Sequence, residues 1–104
     1  MPLSSEYSAV DKIVKIKIDG RFDYYCHQDF SEAYKDLPSL AQHKFLIDLS
    51  RVVYMDSSSL GMLLLLRERA GGERSDIALL GANSEIKKIL EISNFKKLFK
   101  VGWV

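Results

Sequence analysis

The stretch Lys44–Gly72, KFLIDLSRVVYMDSSSLGMLLLLRERAGG, decides how the rest of the chain is arranged. Phe45, Leu46, Ile47 and Leu49 form a short apolar run almost free of turn formers, as in a strand buried in the middle of a sheet. Ser50 to Met55 read as a crossing segment that leads to Asp56 and then to Ser57, Ser58 and Ser59. From Leu60 the pattern turns helical, and Gly71 and Gly72 stop it. The stretch is therefore strand, loop, helix, with the serines at a helix N-terminus.

Asp and Ser are good N-caps because their side-chain oxygens accept bonds from the free N–H groups of the first turn. One such cap carries no functional information. Four capping-type residues in a row, Asp56 to Ser59, exceed what a cap needs, and they follow a strand at its C-terminal edge, where sites in α/β sheets tend to lie. A phosphate on a serine there would face free N–H groups and the positive end of the helix dipole. The local structure could carry a phosphoserine without unfolding.

The run Met55-Asp56-Ser57-Ser58-Ser59-Leu60-Gly61 resembles the D-S-[ST]-G-L-G signature of the STAS domain, in particular the bacterial anti-sigma factor antagonists. Gly20-Arg21-Phe22-Asp23 is similar to that family's G-x-[LIF]-D, and Leu90-Glu91-Ile92-Ser93-Asn94-Phe95 to its L-x-x-[ST]-G-[LF]. The resemblance spans nearly the whole chain. It implies that Ser57, directly after the Asp, is the phosphorylated serine, with Ser58 as second choice. It also implies that Asp23, Asp56, Ser58, Ser59 and Gly61 lie at a partner-binding surface, to which the helical period of the central helix adds Met62 and Leu65. That partner would be an ATP-binding anti-sigma factor with kinase activity or a related serine kinase, and a metal-dependent serine phosphatase would reverse the reaction. Two positions depart from the pattern, Ser59 and Asn94, where the family has Gly. Asn tolerates the left-handed conformation of a helix end, while Ser59 adds a side chain beside the acceptor.

The 104 residues, 47% hydrophobic, suffice for one compact core, so residues 1–104 are expected to form a single STAS domain. Fifteen Lys and Arg stand against fourteen Asp and Glu, leaving no overall positive field for nucleic acid or an anionic membrane. Lys96, Lys97 and Lys100 read as a solvated face. The lone Cys26 excludes an internal disulfide and suits a reducing compartment. MPLSSEYSAVDK does not read as a signal peptide, and the longest apolar run, Met62 to Leu66, is too short to span a bilayer. A cytoplasmic protein is expected.

Before the central stretch, Glu6–Val10 and Ile13–Ile18 read as an antiparallel hairpin ended by Gly20, followed by a helix over Gln28–Leu37 with Phe30, Ala33, Tyr34 and Leu37 at helical spacing. After it come a buried strand at Ile77–Leu80 and a helix capped by Asn83 or Ser84, with Ile86, Ile89, Leu90 and Ile92 as its inward stripe. A last strand follows at Leu98–Val101. The order β-β-α-β-α-β-α-β implies an α/β fold, a mixed β-sheet with helices packed mainly on one face.

Catalysis finds no support. G-x-S-x-G is absent, there is no Gly-rich phosphate loop, and His27 and His43 each lie among polar residues and read as surface histidines. One Cys and two distant His form no metal site, and no cofactor is implied. At about 100° per residue, Leu60, Leu63, Leu64 and Arg67 fall on one side of the central helix and Ser58, Met62, Leu65 and Arg69 on the other. The second side is either tilted into the core or an apolar patch beside Ser57 on which a partner docks. The leading expectation is a non-enzymatic signal-transduction switch acting on transcription, which sequesters its partner until Ser57 is phosphorylated. The alternative is a non-switching STAS subunit with a structural role in a larger complex, such as a lipid-transport assembly.

Overall fold

A computed structural model describes residues 2–102. One five-stranded sheet has the order β1-β2-β3-β4-β5, with β1 (Leu3–Ser8), β2 (Ile13–Phe22), β3 (Lys44–Met55), β4 (Asp76–Leu80) and β5 (Lys100–Gly102). β1 and β2 are antiparallel and the other neighbours parallel. The parallel neighbours are joined by α1 (His27–Glu32), α2 (Ser57–Arg69) and α3 (Ser84–Ile92). This is the α/β order expected from the sequence.

Alternation on the strands shows which face the helices cover. On β2, Val14, Ile16 and Ile18 are buried while Lys15, Lys17 and Asp19 are exposed. On β3, Phe45, Ile47 and Leu49 point into the same core. Phe30 of α1, Leu63 and Leu66 of α2, and Ile86 and Leu90 of α3 meet them there. Each such side chain contributes about 1.5–3 kcal/mol by leaving water.

Several boundaries differ from the expectation. The hairpin strand begins at Leu3, and the register Ser8↔Ile13 leaves Ala9 to Lys12 as the turn, so Val10 is exposed and not part of a strand. Ser8 Oγ donates to Asp11 Oδ2 at 3.2 Å and accepts from Asp11 N at 3.3 Å, and Lys12 takes a positive φ of 55°.

Gly20 does not end β2, and Ser50–Met55 is strand rather than loop. The two extensions satisfy each other's backbone groups through the pairs Asp19↔Arg51, Gly20↔Val52, Arg21↔Tyr54 and Phe22↔Met55. The register slips twice here, and β3 carries the extra residue each time. Such bulges re-phase the alternation, so that Leu49, Val52 and Met55 are the buried positions. Asp48 Oδ1 accepts from Ser50 N at 2.9 Å across the first slip, and Gly20 adopts φ 86° beside the second.

The first helix is shorter than expected: α1 ends at Glu32, and turns carry the chain onward while Tyr34 still packs on Phe45 with ring centroids 6.3 Å apart. Ile92 is 79% exposed and leaves the stripe of α3, which Asn83 caps by accepting from Ile86 N at 2.9 Å. Asn94 takes φ 59°, the left-handed conformation. Leu98 precedes β5 rather than starting it, and its carbonyl accepts from Arg67 Nε at 3.1 Å. His43 is buried, not superficial, with its ring nitrogens bonded to the Tyr7 hydroxyl at 3.2 Å and the Ser39 carbonyl at 3.0 Å.

Candidate functional site

The neighbouring parallel strands β2 and β3 end in register, Phe22 opposite Met55, so Asp23 and Asp56 emerge together at the C-terminal edge of the sheet. Each adopts nearly the same extended backbone and caps the turn that follows. Asp23 Oδ1 accepts from Tyr25 N at 3.0 Å, opening a single 3-10 turn over Tyr24–Cys26. Asp56 Oδ1 accepts from Ser59 N at 3.2 Å, opening α2. Ser59 Oγ in turn accepts from Asp56 N at 2.9 Å and donates to the Asp56 carbonyl at 2.8 Å, completing a capping box.

The three serines are thereby separated by role. Ser59 is fully buried, and its side chain turns inward instead of standing beside Ser57 as the sequence suggested. Ser57, the first residue of α2, is exposed, and Ser58 is half-buried.

The inward face of α2 also differs from the expected stripe. Ser59, Met62, Leu63, Leu66 and Ala70 are buried, whereas Leu64 is 42% exposed. Met62 therefore belongs to the core and not to the exposed patch. Ser59 and Met62 lie three residues apart and so share the inward face. Leu65 remains outside at 43% exposure, the patch alternative of the two open for that side.

Tyr24, His27, Ser58, Gly61, Met62 and Leu65 line an open cleft of about 240 Å³ between the Tyr24 turn and α2. Gly61 leaves the cleft uncrowded, and a Cβ there would meet no atom within 4 Å. Tyr24 stacks on His27 with ring centroids 5.9 Å apart and planes 16° apart, and Tyr24 is itself 67% exposed. The sequence reading missed this aromatic wall. Its only signal there was two tyrosines and a histidine directly after Asp23.

A second group missed from sequence ties the two aspartates together. Arg21 Nε bonds Asp23 Oδ2 at 3.2 Å, and its guanidinium lies 3.8 Å over the Tyr54 ring. The Tyr54 hydroxyl donates to Asp56 Oδ2 at 3.2 Å. Arg21 and Tyr54 are cross-strand partners, a relationship visible only once the register is known. Among the described residues, no three His, Cys, Asp or Glu side chains gather as metal ligands, and no helix is long and apolar enough to cross a membrane.

A mixed sheet covered on one face, with capped serines at the start of its central helix, defines a STAS-type domain. The chain belongs to the STAS domain family: the family model described as "Mlab, STAS domain" matches residues 5–101. A STAS-domain containing protein of Pseudomonas aeruginosa is 46% identical over 98% of this chain and 100% of its own length. The anti-sigma-B factor antagonist of Staphylococcus aureus is 26% identical over 98% of this chain and 94% of its own. The fold is shared with a putative anti-sigma factor antagonist from Thermotoga maritima, at a TM-score of 0.77 and 20% identity, covering 96% of this chain and 85% of that one.

Proposed function

We propose that this domain is an anti-sigma factor antagonist that binds an anti-sigma factor or serine kinase while Ser57 is unmodified and releases it when Ser57 is phosphorylated. One observation carries the reading: of the three serines after Asp56, Ser59 is locked in the buried cap, Ser58 is half-buried and Ser57 is exposed, next to the Ser58–Gly61–Leu65 cleft. In the transfer, Ser57 Oγ bonds the γ-phosphorus of ATP held by the partner kinase as the bond to the β-phosphate oxygen breaks. ADP leaves, and a base of the kinase takes the hydroxyl proton. A metal-dependent phosphatase returns the serine by transferring the phosphoryl group to water. The similarity to the anti-sigma-B factor antagonist supports the partner class.

Release follows from charge. The phosphate adds about −1.5 to −2 charge at neutral pH beside Asp56. A desolvated interface over α2 would have to bury that dianion near a carboxylate, which costs several kcal/mol unless the partner supplies cations. The first turn of α2 can meanwhile stabilise the phosphate with its N–H groups, so the domain stays folded.

Intact mass of the protein purified from its native cells, with and without phosphatase treatment, tests the reading, and fragment spectra locate the group. A mass shift of one phosphate on Ser57 is expected; placement on Ser58 would overturn the assignment. The matching family model is described by Mlab rather than by an antagonist, and this favours a second reading, a non-switching subunit of a larger complex such as a lipid-transport assembly. That reading expects no phosphate on Ser57 and a stable complex that is indifferent to Ser57→Ala.

A further inference from the structure

We propose that Arg21 receives the phosphoryl group on Ser57, exchanging its bond to Asp23 for the phosphate oxygens. The inference rests on Ser57 being the acceptor, and it specifies how this domain accommodates the modification. Asp23 and Asp56 already place two carboxylates at this edge, and phosphorylation adds a third anion in the residue after Asp56. The donors that usually meet an anion at a helix start are partly committed here: Ser59 N is bonded to the Asp56 carboxylate and Leu60 N to the Asp56 carbonyl. A cation beside the phosphate would offset the charge that three neighbouring anions concentrate there.

Register supplies Arg21. It faces Tyr54 across the β2–β3 pair, and stacking holds the guanidinium over a ring whose hydroxyl touches Asp56, the neighbour of Ser57. Its bond to Asp23 is a single one through Nε, so the exchange gives up one N–H···O bond for two. The side chain is 63% exposed and can turn without unpacking the core. A guanidinium binds phosphate through two parallel N–H···O bonds, and the higher charge of the dianion draws it from a single carboxylate. The other titratable groups at this edge are Tyr24 and His27 on the cleft wall, Tyr54 beneath the guanidinium, and the two aspartates.

The test uses full-length protein with phosphoserine installed at position 57 during translation, so it needs no kinase. Phosphorus NMR follows the second ionisation of the phosphate, ordinarily near pH 6. Pairing with Arg21 stabilises the dianion, so the midpoint in the parent protein should lie a few tenths of a pH unit below that of the Arg21→Gln variant, the size expected of an exposed ion pair. Arg21→Lys should fall between them, since it keeps the charge and loses the fork, and molar salt should shrink the difference. Identical midpoints in parent and Arg21→Gln protein, both folded by circular dichroism, would overturn the proposal. An Arg21 that merely supported the Asp23 cap would change melting temperature and leave the phosphorus midpoint unmoved. Absence of phosphate on Ser57 in native cells would instead defeat the switch reading, a separate outcome.

Discussion

Asp56 and Ser59 hold each other at the start of α2, the carboxylate taking Ser59 N and the hydroxyl taking Asp56 N at 2.9 Å. The hydroxyl that the sequence placed beside Ser57 is thus spent on the cap. Ser59 faces the core, Ser58 is half-buried, and Ser57 is left in solvent.

Ser59→Ala should therefore lower stability by about 1–2 kcal/mol, the usual size of a lost N-cap partnership. Ser57→Ala, on the exposed first position of the helix, should stay within about 0.5 kcal/mol of the parent. Urea unfolding followed by circular dichroism measures both. Equal losses in the two variants would contradict the division of roles between these serines.

Binding to the cognate anti-sigma factor or kinase should rank Ser57→Ala equal to unmodified protein, Ser57→Asp and Ser57→Glu weaker, and phosphorylated protein weakest. A carboxylate carries less charge and fewer acceptor oxygens than phosphate, so the acidic variants sit between the extremes. Calorimetric titration gives the order. Phosphorylated protein binding as tightly as Ser57→Ala would show that charge does not drive release.

Leu65→Asp and Tyr24→Ala should each weaken the same complex at least tenfold while the melting temperature changes little, because both side chains line the cleft and are largely or partly in solvent. Leu63→Asp is the contrasting case. Its position is fully buried, so a carboxylate there should unfold the domain. A large loss of thermal stability in Leu65→Asp would place Leu65 in the core and remove it from the docking surface.

Alkaline pH should destabilise the protein partly through Tyr34. Burial raises its hydroxyl above the ordinary value of 10.0, and the Arg69 charge offsets this only in part. The folded state thus keeps a proton that the unfolded chain gives up near pH 10, so this contribution is complete below that pH and fades as pH rises through the raised value. Between pH 9 and pH 11 the parent should lose more melting temperature than Tyr34→Phe, which has no hydroxyl to ionise. Parallel declines in the two proteins would count against it.

Much of this was legible along the chain because it depends on short-range pattern. Asp56 with its serines marked a helix start, Gly71 and Asn94 marked helix ends, and the apolar runs at Phe45 and Ile77 marked the inner strands. Asp23, Asp56 and Ser57 came from the motifs and Leu65 from the helical period, and they are gathered at one edge or along the helix that starts there. The aromatic wall of Tyr24 and His27 was not found, since nothing in a local pattern says that a turn after β2 will lie against α2.

By itself, the sequence determined the order of elements, the capped serine run and the covered face of the sheet, because turn chemistry and hydrophobic period act over a few residues. Tertiary structure alone decided the length of β3, the inward turn of Ser59 and Met62, and the pairing of Arg21 with Tyr54. Two bulges shift the alternation of β3, so its second half lacks the two-residue period by which a strand is read from the chain. Only the partner strand, by filling the hydrogen bonds of Ser50–Met55, makes that segment a strand and brings Asp23 level with Asp56.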